Sequence, residues 1–246
     1  MLLKKFKTGE VFTQQMNDLI IFDVGGVLVK LEFKNMFLKY AQRSGIPQEE
    51  IKKKLAESNI EKERNLGNDE EYYQGIRKIL KDQTLSDAWI NAVVNSSLPE
   101  QIEKMVNLKE KLHLAGYEIG ILSTNANAAM KLLSKKWPKM LETWGGLALY
   151  SQQTRILKPD PKAYEPFTKL AVKRIIFIDD KSAYLKYPCE KLGWIGIHFT
   201  KYRDLDEPIR YIKGSHQDEE QIKGAYYQAE TEEEVEAILR KLGLKF

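Results

Sequence analysis

The chain has almost no cysteine, no apolar run long enough to cross a bilayer and no strong excess of charge, and each absence narrows what it can be. Cys189 stands alone, so no intramolecular disulfide can form, and a reducing, cytoplasmic setting is expected. With no nearby Cys or His, that thiol reads as a buried bystander. No stretch approaches the roughly 20 apolar residues that a spanning helix needs, which argues against a membrane protein. The opening Met1-Leu2-Leu3-Lys4-Lys5-Phe6-Lys7 is basic but lacks the apolar core and small-residue cleavage site of a signal peptide, so residues 1–17 read as a loose, solvated extension. A net charge of +4, from 39 basic and 35 acidic residues, suits a phosphate-bearing substrate and is too weak to argue for nucleic acid. No internal repeat or low-complexity tract is present, and nothing sets an oligomeric state.

What is present fits a soluble globular protein: 246 residues, 43% hydrophobic and 30% charged, enough for one large domain or a core with a smaller companion. Leu19-Ile20-Ile21-Phe22 is a short apolar run of the kind that forms a buried strand. Asp23 ends it, and Gly25-Gly26 follow, where a tight turn and close approach to a ligand become possible. Residues 34–110 then read almost wholly as helix: 35–43 up to Gly45, a second opening at Pro47, then 69–80, 86–94 and 99–114 before Gly116.

From Tyr117 onward the pattern alternates. Strands are predicted at 119–122, 147–150, 174–178 and 194–199, with helices at 126–136, 163–170 and after Asp180. Alternation of this kind implies a doubly wound parallel sheet of the α/β class, covered on both faces. Residues 204–230 are polar with no clear period, and 231–243 read as a last amphipathic helix that Thr231 can cap.

Four strand ends or following loops carry polar groups: Asp23, Ser123-Thr124, Lys158 and Asp179-Asp180. In such a sheet they converge on the crevice beyond the carboxyl ends of the strands. Three carboxylates brought together repel one another unless a divalent cation offsets them, and Mg²⁺ suits oxygen ligands and a phosphate. A lysine and a hydroxyl complete a cradle for the remaining phosphate oxygens. The set is sufficient for phosphoryl transfer through an aspartyl-phosphate on Asp23.

In that order, Asp23-Val24-Gly25-Gly26-Val27-Leu28, Ile121-Leu122-Ser123-Thr124-Asn125, Lys158-Pro159-Asp160-Pro161-Lys162-Ala163-Tyr164 and Phe177-Ile178-Asp179-Asp180 resemble the four motifs of the haloacid dehalogenase (HAD)-like hydrolases, over residues 18–200. The resemblance implies a Rossmann-like core at 18–32 and 99–246. The helical insert at 33–98 is similar to the α-helical cap of the subgroup holding dehalogenases and many small-molecule phosphatases. Asp23 is then the nucleophile, Ser123 binds the transferring phosphoryl group and Lys158 stabilises its charge. Gly26, Thr124 and Asn125 complete the phosphate site. Asp180, assisted by Asp179 and joined by Asp23 and the Gly25 carbonyl, holds Mg²⁺. The expected activity is Mg²⁺-dependent hydrolysis of a small phosphorylated metabolite.

Two departures from the family pattern stand out. Phosphatases of this family usually place a second aspartate where this chain has Gly25, and that group protonates the leaving oxygen and then activates water. Glu32, just past the glycine turn, is the candidate replacement. Without one, the chain suits good leaving groups, 2-haloacid hydrolysis in which halide departs unprotonated, or phosphate binding with little turnover. Tyr184 stands where an asparagine is common. Arg64, Asn65, Tyr72 and Tyr73 are candidates to face the crevice from the insert.

Overall fold

The structure, a computed structural model, describes residues 17–202 and 222–246. All but one residue of the expected amino-terminal extension, and the polar tract through residue 221, lie outside that range.

Six strands form one parallel sheet in the order β3-β2-β1-β4-β5-β6: β1 (Leu19–Phe22), β2 (Glu118–Ser123), β3 (Gly145–Tyr150), β4 (Ile175–Asp179), β5 (Ile195–Phe199) and β6 (Tyr226–Ala229). β1 is central because its four residues are apolar and fully buried, a composition that only a strand covered on both faces tolerates. Its side chains alternate between two cores. Ile20 and Phe22 pack on one face with Ile119, Ile121, Ile176 and Ile178, while Leu19 and Ile21 pack on the other with Tyr164, Phe167, Phe177 and Trp194. Cys189 is buried on that second face, and burial pushes its thiol up to about 12, as a bystander requires. No helix among the described residues is long and apolar enough to cross a membrane.

The helical insert comprises α1 (Phe33–Ser44), α2 (Gln48–Glu57), α3 (Ile60–Asn65), α4 (Asp69–Leu80) and α5 (Asp87–Asn95). They close around their own apolar cluster, which includes Phe37, Tyr40, Leu55, Tyr72, Ile76 and Ile90. α6 (Glu103–Leu114) and α7 (Asn127–Lys136) follow, then the single turns α8 (Ser151–Thr154) and α9 (Glu165–Thr168), α10 (Ser182–Leu192) and α11 (Glu232–Lys241). Where the chain leaves and re-enters the core, its two segments run side by side. Lys30 N donates to Glu100 O at 3.0 Å, Glu32 N to Ser97 O at 2.8 Å and Ile102 N to Leu28 O at 2.8 Å.

Three expectations need correction. β6 was not foreseen: a four-residue edge strand with Gln228 in it buries too little to leave an apolar run, and it lies inside the tract read as irregular. The helix expected over 163–170 is a 3₁₀ turn at Pro161–Ala163 and the one turn α9, because Pro161 and Pro166 interrupt backbone donation. α3, six residues long, is too short for periodicity to register.

Trp194 meets Tyr164, Phe167 and Phe177 edge-on, with ring centroids 5.8–6.3 Å apart, beneath the strand that carries Asp179. Trp194→Ala should therefore lower unfolding free energy by about 3–5 kcal/mol in urea titration; a loss under about 1 kcal/mol would mean that this cluster does not hold β4 in place.

Candidate active site

In this strand order the direction of winding reverses between β1 and β4, and ligands bind at such a reversal, beyond the carboxyl ends of the strands. Phe22 is level with Ile121 of β2 and with Ile178 of β4. Asp23, Leu122 and Asp179 are therefore one step further along three adjacent strands, and Asp180 follows on the next loop. Carboxylate oxygens of Asp23, Asp179 and Asp180 all lie within 4.8 Å of one another, and all three residues are buried.

Lys158 enters this cluster from the loop between β3 and β4, immediately before a cis bond to Pro159. It is 1% exposed. Its ammonium lies 3.0 Å from Asp23 Oδ1, donates to Asp179 Oδ2 at 2.6 Å and reaches the Leu122 carbonyl at 3.1 Å. Burial by itself would lower the lysine's proton affinity, but the Asp179 and Asp23 carboxylates outweigh it and hold the charged form. Asp179 is also pushed upward, well above the usual carboxylate range, by burial first and then by Asp23 and Asp180, with Lys158 opposing. Lys158 thus pairs with two of the three buried carboxylates, and Lys181, also buried, follows Asp180 on the same loop.

Three converging carboxylates with surplus negative charge are the donor set that Mg²⁺ takes, so the residues present fit the metal that the sequence implies. Within the set, Asp179 has a further duty. Besides accepting from Lys158, it accepts from its own loop through Lys181 N at 2.9 Å, and so it fixes the lysine's direction.

The two glycines are not equivalent. Gly26 has φ +74°, and a Cβ there would fall 2.7 Å from the Asp180 carboxylate, so only glycine fits. Gly25 has no such constraint; a Cβ would meet only the Leu31 side chain, at 3.3 Å. The turn demands glycine at 26 and tolerates a side chain at 25.

Ser123 is buried at the end of β2, and its hydroxyl accepts from Asn125 Nδ2 at 3.3 Å. Thr124 Oγ1 accepts from Lys158 N at 3.3 Å. Asn125 N donates to Ser151 Oγ at 3.0 Å, and that hydroxyl donates to Asn65 O in the insert at 2.6 Å. The insert is further tied down by Arg155, donating to Leu66 O at 2.6 Å, and by Asn127 Nδ2, donating to Asp69 Oδ2 at 3.0 Å.

Between insert and core lies a cavity of about 50 Å³. One water needs only roughly 10–15 Å³, so a small ligand fits. Asp23, Gly25, Thr124 and Asn125 line it from the core, and Glu61, Arg64 and Asn65 from the insert. Of the insert residues suggested by sequence, Arg64 and Asn65 reach it. Tyr72 is buried in the insert's own core, and Tyr73 accepts from Asn91 instead. Glu32 does not reach it either: it is exposed at the start of α1, because its backbone is held to Ser97 and its side chain turns to solvent. Sequence reasoning missed Glu61 and Lys181 as lining groups. Glu61 stands on the short helix α3, whose charged Ile-Glu-Lys-Glu-Arg-Asn run looks like a solvated face. Tyr184 also lines the cavity, its ring 4.6 Å from the Lys158 ammonium and its carbonyl accepting from Tyr164 OH at 2.8 Å, which is how this loop is braced without an asparagine.

Lys158→Met should destabilise the metal-free protein by about 3–5 kcal/mol, the cost of breaking a buried ion pair. Millimolar Mg²⁺ should then raise the urea midpoint more in the variant than in wild type, because it relieves the larger charge surplus. Equal midpoints without metal would contradict the charge balance described.

No protein-family model and no curated protein matches the chain. Solved structures do. A HAD family enzyme from Bacteroides thetaiotaomicron, in complex with magnesium and inorganic phosphate, matches with TM-score 0.64 at 23% identity, over 77% of this chain and 96% of that one. A predicted HAD-like family hydrolase from Porphyromonas gingivalis matches with TM-score 0.66 at 18% identity, over 94% and 100%. The L-2-haloacid dehalogenase of Xanthobacter autotrophicus, with chloropropionic acid covalently bound, matches with TM-score 0.61 at 11% identity, over 92% and 99%. The parallel α/β sheet is what the four motifs imply, and these matches agree with it: the chain has the HAD-like hydrolase fold.

Proposed function

We propose that this chain is a Mg²⁺-dependent phosphatase acting on a small phosphorylated metabolite. The observation that carries the reading is the cluster of Asp23, Asp179 and Asp180 around Lys158, a set of buried carboxylates close enough together to share one divalent cation. The Bacteroides enzyme of the same fold, solved with magnesium and inorganic phosphate, supports it. Asp23, Asp180 and the Gly25 carbonyl would hold the metal, with Asp179 beside them. Bound there, Mg²⁺ would neutralise phosphate charge and orient it for in-line attack.

Asp23 is aimed by the rigid end of β1 and supplies the carboxylate oxygen that attacks phosphorus. Lys158, held by Asp179, stabilises charge on the transferring group. Ser123, Thr124 and Asn125 bind its remaining oxygens from the loop after β2. The insert, a cap in this reading, closes over the site and keeps bulk water out.

Purified protein should hydrolyse p-nitrophenyl phosphate with Mg²⁺, lose that activity in EDTA and regain it with added Mg²⁺. Asp23→Asn should lower kcat by at least about 10³-fold, the scale on which nucleophiles act. Activity unchanged in that variant would end the proposal. Chloride release from 2-chloropropionate that EDTA does not touch would assign haloacid hydrolysis instead.

A further inference from the structure

Displacing an alcohol from phosphorus leaves an oxygen that needs a proton, and Gly25 offers none. Among the described residues that line the cavity, Glu61 is the one carboxylic acid besides Asp23. It belongs to α3 of the insert, 38 positions from the nucleophile in sequence, and is 1% exposed. Within the insert its carboxylate meets Tyr72 as well as Arg64. Arg64 Nη2, one helical turn on, lies 2.9 Å from Oε2 and fixes where the side chain points. Arg64 is held in turn over the Tyr72 ring, at 4.9 Å.

We infer that Glu61 is the general acid–base of this site, supplied by the insert in place of the carboxylate that the glycine turn lacks. The inference rests on the phosphatase reading. As an Asp23 oxygen bonds to phosphorus and the ester P–O bond breaks, the Glu61 carboxyl gives its proton to the departing oxygen, and the alcohol leaves. Glu61, now a carboxylate, takes a proton from water as the water oxygen attacks phosphorus. The bond to Asp23 breaks, orthophosphate forms, and both carboxyl groups return to their starting states.

The surroundings suit a proton carrier. Burial raises the proton affinity of Glu61 above the usual carboxylate range, while Arg64 and then Tyr72 oppose it. Tyr40, whose hydroxyl lies 3.3 Å from that of Tyr72, backs the group from α1. Asp23 and Lys181 are the charged groups that face it across the cavity. A group pulled in both directions can hold a proton in one half-reaction and release it in the other. The location has a second consequence: the acid arrives only when the insert is closed.

The test is leaving-group dependence in the Mg²⁺-loaded protein. Glu61→Gln should lower kcat/KM for propyl phosphate by about 10²–10⁴-fold, the range of general acid–base help. For 2,4-dinitrophenyl phosphate, whose phenolate leaves without a proton, kcat/KM should stay close to wild type. Equal losses on the two esters, or no loss on propyl phosphate, would overturn the assignment while leaving the phosphatase reading intact. A wild type that turns over neither ester overturns both. Should the Gln variant unfold, Glu61→Asp serves the same comparison. It keeps an acid one methylene short, so its loss must again fall mainly on the alkyl ester, and an equal loss on both counts against the assignment.

Discussion

Everything at the end of the sheet depends on one buried ammonium held between two carboxylates. Lys158 touches Asp23 and Asp179 and is almost wholly buried, and a broken pair there would strand a charge in a low-dielectric interior. Its position is set from three sides: by the end of β2 through the Leu122 carbonyl, by the end of β4 through Asp179, and by the Tyr184 ring behind it. The strands supply the rigidity and the lysine supplies the reason for the acids to meet. The three acids that meet there are a donor set that a divalent cation would suit.

The glycine turn refines that picture. Gly26 exists for geometry, since any side chain would collide with Asp180. Gly25 is conformationally ordinary, so what it omits is chemistry. The same nine-residue stretch thus contains one position fixed by sterics and one left open, and proton transfer moves to an element that closes from outside. In the proposed scheme the sheet binds and attacks, and the insert supplies the proton. That division follows from where each acid stands, Asp23 at the end of β1 and Glu61 on α3.

How much of this was legible in the sequence follows from physical scale. β1, β2, β4 and β5 declare themselves because a strand covered on both faces must be apolar throughout, and Asp23, Ser123 and Asp179 follow as the polar residues that end them. The edge strand β6 does not, because half of it meets solvent and Tyr226 spends its hydroxyl on His198. Glu61 was invisible for a different reason. Its burial comes from docking α3 over the cavity, a tertiary event with no local signature, and its neighbours in sequence are charged. Glu32 was attractive on proximity alone, yet the pairing of residues 28–32 with 97–102 turns it to solvent. Distance along the chain is a poor guide to a cavity that two separately folded layers enclose.

Ser151 has a consequence of its own. Its single hydroxyl proton faces two carbonyls, Asn65 in the insert at 2.6 Å and Asn125 in the core at 3.3 Å, while its oxygen receives the amide of Asn125. Were the insert to lift, the proton could swing to the core acceptor, so no donor would be orphaned and the penalty for an unmet buried hydrogen bond would not arise. The hydroxyl behaves as a latch with two keepers, and each cycle of release and return would be felt at Asn125, inside the loop that cups the phosphate.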